Sequence, residues 1–339
     1  MYIYLDKISS YPNNRELVWT DELQGLTHNE DYWFITQQKK LWKIPVGHDL
    51  NIDIAQNNLS LDIKSVPIPP ELSSEYDHFG DIDCFEDFLF VAMEKTDSTI
   101  TAKLACFSAA TLAYIGSELI PLQTNKAPWC AVNYKDRLLY SSRDKDVSTI
   151  FAYQYGIQNN TFKISLNQIV NLKDGDGNDF VLSGIQGGVF ANLGGKNSLI
   201  LTSNEKPNRG INIFEMSSGK RIFYKEIDFD LWAIGEEIEG LTFWDLDNNK
   251  APNIEGQIHV LELDNDIDSD DIKSLHHYRI IESEFVANKS HSKMEVHRFD
   301  CTWVNFIDFE NRLPFDKLTE ALENGFDGCF YCLNDYHKR

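Results

Sequence analysis

Apolar residues along this chain gather in short runs, each bounded by polar residues that favour turns. Tyr32-Trp33-Phe34-Ile35-Thr36, Asp87-Phe88-Leu89-Phe90-Val91-Ala92 and Ser198-Leu199-Ile200-Leu201-Thr202 are aromatic and β-branched. Asn29-Glu30-Asp31 and Tyr134-Lys135-Asp136 punctuate them. Such clusters suit a pleated, half-buried surface better than a helix. Apolar residues at helical spacing are almost absent before residue 310. The pattern predicts an all-β chain with a small helical element near its end.

The runs recur as a unit. Its first copy holds Gln24-Gly25-Leu26-Thr27, the strand at Tyr32 and Leu41-Trp42-Lys43-Ile44; later copies open at Gly80, Trp129, Gln186 and Glu239. The steps between these positions are 56, 49, 57 and 53 residues. Three or four short strands repeated at such a period mean a β-propeller, in which radial repetition leaves few exposed sheet edges. Five units are visible. A sixth, pairing the N-terminal strand Tyr2–Leu5 with His276-His277-Tyr278-Arg279-Ile280, would close the ring, so six blades are expected and five remain open. Residues 1–285 are read as the propeller and 286–339 as an appended module.

Composition narrows the partners. The chain has 339 residues, a net charge of -22, 42% hydrophobic and 25% charged residues, as in soluble globular proteins. An acidic chain repels phosphate backbones and anionic bilayers. No apolar run approaches the ~20 residues of a membrane span, and Met1-Tyr2-Ile3-Tyr4-Leu5-Asp6 meets a charge too soon for a signal peptide. Cys84, Cys106 and Cys130 stand alone within apolar runs, as buried free thiols do. The expectation is a cytoplasmic protein that binds neither nucleic acid nor membrane.

The sharpest chemical signal is His297-x3-Cys301-x27-Cys329-x2-Cys332. Thiolate and imidazole are the donors that tetrahedral Zn²⁺ prefers, and a short pair with a Cys-x2-Cys pair can close around one ion. With Trp303-Val304, Asn311-Arg312, Phe315 and Ala321-Leu322-Glu323-Asn324-Gly325-Phe326, the segment His297–His337 resembles the zinc-binding module of the Ada DNA-repair family. The resemblance implies His297, Cys301, Cys329 and Cys332 as ligands of a structural zinc, with a helix over Leu318–Asn324 ended by Gly325. In that family the first cysteine accepts a methyl group from DNA phosphate. Here that position is His297, and residues His297–Arg339 carry five Lys/Arg against eight Asp/Glu, so alkyl-transfer repair is not expected. His291 and His337 are alternatives to His297.

The innermost strands of a propeller line its channel. Polar residues at or beside the repeat position are Gln24, Asp81, Asp83, Gln186, Glu237 and Glu239, with His28, His78 and Glu94 able to join them. Convergent carboxylates and amides suit a divalent cation such as Ca²⁺, or a polyhydroxy ligand. They equally suit strand starts that bond to neighbouring blades. The arrangement resembles that of six-bladed lactonase, phosphotriesterase-like and gluconolactonase propellers, which implies a channel metal activating water, although their Asn-rich ligand pattern is not present. Asp174-Gly175-Asp176-Gly177-Asn178-Asp179 and Asp245-Leu246-Asp247-Asn248-Asn249 imitate calcium loops but read as turns. Gly-x-Ser-x-Gly, P-loop and dinucleotide fingerprints are absent. The expected function is binding of a protein, small molecule or carbohydrate; the alternative is a metal-dependent hydrolase of lactones, esters or phosphoesters.

Overall fold

The computed structural model describes residues 2–12, 17–52, 54, 62–95, 100–123, 126–159, 161–227, 236–264, 273–290, 294–308 and 311–338. After β1 (Tyr2–Ser10) come β2–β5 at Leu23–His28, Tyr32–Gln37, Lys40–Pro45 and Lys64–Pro67. Strands β6–β9 are His78–Phe85, Phe88–Glu94, Lys103–Ser108 and Tyr114–Leu119. Strands β10–β13 are Ala131–Asn133, Leu138–Ser141, Thr149–Gln158 and Thr161–Asn171. Strands β14–β17 are Ile185–Leu193, Lys196–Ser203, Gly210–Glu215 and Lys220–Glu226, and β18–β20 are Glu236–Phe243, Ile258–Asp264 and Lys273–Ser283. Four of these groups each form a four-stranded sheet in sequence order; the fifth has the order β18-β19-β20-β1.

The sheets form a β-propeller through the packing of their faces. Trp33, Ile35, Trp42 and Ile44 of the first sheet share a core with Trp244, Leu261 and Leu275 of the fifth. Phe34 and Leu41 pack on Phe79, Val91 and Phe107 of the second. Phe90 and Cys106 then meet Cys130 and Tyr153 of the third, and Tyr140 and Ile150 meet Leu199 and Phe214 of the fourth. The continuous apolar runs thus feed both faces of each sheet, because each is covered by a neighbour on either side. The contact between fifth and first sheets brings the series back to its start.

One expectation is corrected. The N-terminal strand and His276–Ile280 do share a sheet, but they complete the fifth blade rather than building a sixth. The unit after Glu239 contributes β18 and β19, and β20 and β1 supply the two outer strands. Five propeller sheets are present among the described residues.

The chain divides into two compact units. The larger, Lys7–Asn192 with Lys196–Tyr278, contains the inter-sheet cores. The smaller comprises Met1–Asp6, Leu193–Gly195 and Arg279–Arg339. It holds β21 (Phe285–Asn288), β22 (Glu295–Arg298), β23 (Arg312–Phe315), helix α1 (Leu318–Glu323) and β24 (Asp327–Gly328), with sheet order β23-β21-β22-β24. Gly325 has φ +87°, its N–H reaches Leu322 O at 3.1 Å, and the N–H of Phe326 reaches Ala321 O at 3.2 Å. This is the paired hydrogen bonding that a left-handed glycine makes at a helix end. Ala321 and Phe326 both lie in the core of this unit. No described helix is long and apolar enough to cross a membrane.

Candidate functional site

In the smaller unit, chain geometry assembles the four expected ligands. Strand β22 pairs in parallel with β24, Val296 opposite Gly328, and the N–H of Cys329 donates to Val296 O at 2.9 Å. That register sets His297 beside Cys329. A turn closed by Cys301 N–H to Arg298 O (3.0 Å) adds Cys301, and one closed by Leu333 N–H to Cys329 O (2.8 Å) spans Cys332. The donor atoms of all four residues lie within 4.8 Å of one another. Tetrahedral Zn²⁺ sets its sulfur donors about 3.8 Å apart, so closing on an ion takes roughly one ångström of movement.

The surroundings fit a metal. His297 is buried and its Nδ1 has no hydrogen-bond partner, while Nε2 stands 4.0 Å from Glu295. A buried nitrogen without a partner is costly unless something binds it. The N–H of Arg298 donates to Cys332 Sγ at 3.4 Å, and the N–H of Trp303 bonds Cys301; such donors favour a thiolate. Burial, reinforced by the neighbouring Cys301 and Cys329 thiols, pushes the Cys332 thiol up to about 12, and a cation in the cluster would reverse that. These residues can hold a metal ion. Of the alternatives, His337 donates its Nδ1–H to Gly328 O (2.8 Å) and faces Asp327, and His291 lies outside the described residues.

The propeller axis is a second polar cluster. Asp81 of β6 is fully buried: Oδ2 accepts the N–H of Gly188 at 2.9 Å and Oδ1 that of Leu26 at 3.3 Å. It therefore links β6 to β14 and β2. Glycines let the strands converge here. A Cβ on Gly240 would fall 2.3 Å from Asp81 Oδ1 and 2.6 Å from Gly25 Cα. Asp83, farther along β6, accepts the N–H groups of Cys84 (2.8 Å) and Val132 (2.7 Å) and the Thr27 hydroxyl (3.2 Å). Both carboxylates bond to the backbone of adjoining blades, as capping residues do.

Of the other residues, Gln24, His78, Gln186, Glu237 and Glu239 lie at or near strand starts, whereas His28 and Glu94 end theirs. His78 Nε2 is 2.7 Å from Gln24 Oε1, and Glu94 Oε1 accepts the N–H of Ala127 at 2.6 Å. Glu239 is hydrogen-bonded to Glu237 and feels Asp81 and Glu94. Gln186 is half-buried near the start of β14. His28 stacks on Trp244 at 4.1 Å and sits 2.9 Å from Phe243 O, away from this cluster. Burial disfavours charge on the axis. It raises Asp81 and Glu239 well above the usual carboxylate range, Asp83 to about 7 and Glu94 to about 7, and lowers His78 to about 4.

The calcium-like loops fold on themselves. Asp174 accepts the N–H groups of Asp176 (2.9 Å) and Asn178 (2.8 Å), and Asp247 accepts Gly256 N–H and Gln257 Nε2–H, each at 2.9 Å. Sequence reasoning missed the exposed aromatic side chains around the cysteine cluster, Trp303, Phe330 and Tyr331, because nothing local in the sequence sets their exposure.

No protein-family model and no curated protein matches the chain. Among solved structures, a GH43_1 enzyme from Xanthomonas citri complexed with xylose is 7% identical, over 85% of this chain and 93% of that one, with a TM-score of 0.51. Glutaminyl cyclase from Myxococcus xanthus is 9% identical over 82% and 97%, TM-score 0.49. The Cps50 (Swd1) β-propeller domain from Myceliophteria thermophila is 14% identical over 73% and 67%, TM-score 0.35. At such identities the first shows a shared fold and nothing of chemistry.

Proposed function

We propose that this chain is a recognition propeller whose C-terminal unit is a structural zinc module of the Ada-like kind. The observation that carries this reading is the closed donor set. Three sulfurs and one imidazole nitrogen within 4.8 Å fill every position of a tetrahedral ion and leave none for a water. The backbone bonding of Asp81 and Asp83 supports a structural axis. The channel end carrying Gln24, Asp81, Asp83, Gln186, Glu237 and Glu239 is the candidate ligand face. A protein segment or a carbohydrate is the class of ligand to test there, the latter because the xylose-bound neighbour shares the fold. Six free thiols suit a reducing, cytoplasmic setting.

Elemental analysis of the purified chain tests the reading. One zinc and no calcium per chain is expected; a chain without zinc overturns it.

One observation favours a second reading, a metal-dependent hydrolase acting on lactones, esters or phosphoesters. Glu239 shares a hydrogen bond with Glu237 beside Asp81 and Glu94, and a carboxyl kept protonated by burial and by such neighbours is suited to acid catalysis. Turnover of any such substrate with Ca²⁺, Mn²⁺ or Zn²⁺, abolished in Glu239→Gln, would establish it. Background rates across the screen would end it.

A further inference from the structure

The smaller unit carries a cleft lined in part by two of the candidate metal ligands, His297 and Cys329, and an ion held there does not account for the exposed aromatic rings that make up the rest of its lining. Trp303, Phe306, Phe330 and Tyr331 line a cavity of about 300 Å³, and Glu295 lines it with them. The four aromatic residues are 43%, 74%, 57% and 69% exposed. Their rings hold one another: Trp303 stacks on Tyr331 (5.4 Å, 27°) and touches Phe306 (5.5 Å), while Phe330 meets Tyr331 edge to face (5.4 Å, 88°). A contiguous aromatic surface kept in water marks a binding site.

The lining indicates the ligand. Aromatic faces carry negative charge density and attract a desolvated cation. Glu295 adds a carboxylate, and its distance of 4.0 Å from His297 Nε2 is beyond hydrogen-bond reach. The carboxylate disfavours an anion and gains nothing from a neutral hydrocarbon. The net charge of -22 draws cations from a distance. A compact primary ammonium is strongly hydrated, whereas methylation makes it bulkier and easier to strip of water.

We propose that this cleft binds an organic ammonium group, supplied by a methylated lysine in a basic segment of a partner protein. The site does not depend on which reading of the propeller axis holds. It requires only that the smaller unit be folded, and zinc content reports on that separately.

The test is titration of the full chain, followed by calorimetry and NMR, with choline and with its uncharged isostere 3,3-dimethyl-1-butanol. A preference of roughly tenfold for the cation is expected. A trimethyl-lysine peptide should likewise bind better than its unmethylated form. Trp303→Ala should remove both preferences with zinc content and melting retained. Should Trp303→Ala lose its zinc, Phe306→Ala, at the most exposed of the four positions, carries the same expectation. Glu295→Gln should weaken choline severalfold and leave the isostere unchanged. Equal binding of choline and isostere, or peptide binding blind to methylation, overturns the proposal. Capture of phosphatidylcholine vesicles without the peptide overturns the assignment to a protein partner.

Discussion

The Asp81 carboxylate accepts the backbone N–H of Gly188 at 2.9 Å, across 107 residues of chain. With Leu26 on its other oxygen, this side chain ties three innermost strands together where they converge. Space at that level is exhausted. Gly240→Ala would press a methyl group against Asp81 Oδ1 and Gly25 Cα, neither of which can swing away. The expected cost is about 2–4 kcal/mol, read as a lower urea midpoint at unchanged slope. Wild-type stability in this variant would show that the strands are not packed at the axis.

Glu94 gives the propeller a defined response to pH. Burial raises its carboxyl from 4.5 to about 7, against the opposing effects of Lys126 and the Ala127 N–H. The folded chain then holds the proton more tightly than the unfolded chain between those two values. The contribution of Glu94 is therefore fully present below the unfolded value and is lost as pH rises toward about 7. Glu94→Gln keeps the oxygen that accepts from Ala127 and removes the titration. Relative to wild type it should gain on the order of 2–3 kcal/mol between pH 4.5 and pH 8. Chemical denaturation at both pH values measures this, and parallel curves would refute it.

Zinc removal should unfold the smaller unit. Cys329 is 2% exposed and only its backbone N–H is bonded to Val296 O, so Cys329→Ser removes one sulfur donor and leaves the β22–β24 backbone bonding in place. Loss of the ion in this variant, or by a strong chelator, should lower the melting temperature by several degrees or split the transition. Binding free energy at a closed site adds directly to folding. Melting that ignores a chelator while zinc leaves would show that the ion holds nothing in shape.

How much of this was legible beforehand follows from where the signals lie. Strand period, repeat spacing and turn residues are local, and they revealed the propeller. The four residues that could hold a metal ion were readable because Cys-x2-Cys and His-x3-Cys are short-range patterns. The blade count was not, since the outer strands of the fifth sheet come from Tyr2–Ser10 and Lys273–Ser283, at opposite ends of the repeats. Nor was the burial of Asp81 and Asp83: an aspartate at a strand start looks the same whether it faces a ligand or a neighbouring amide. Exposure of Phe330 and Tyr331 is likewise a property of the fold, because nothing local in the sequence sets it.

The seam of the ring has a consequence for how the protein is made. Ser10 Oγ lies 2.8 Å from His276 Nδ1, and the N–H of Tyr11 donates to Leu275 O at 2.9 Å. During translation strand β1 must stay without its partner β20 until more than 260 further residues have left the ribosome. Contacts of that separation form slowly, and an edge left waiting invites other chains. Biosynthesis, rather than the finished ring, is where this architecture is most vulnerable.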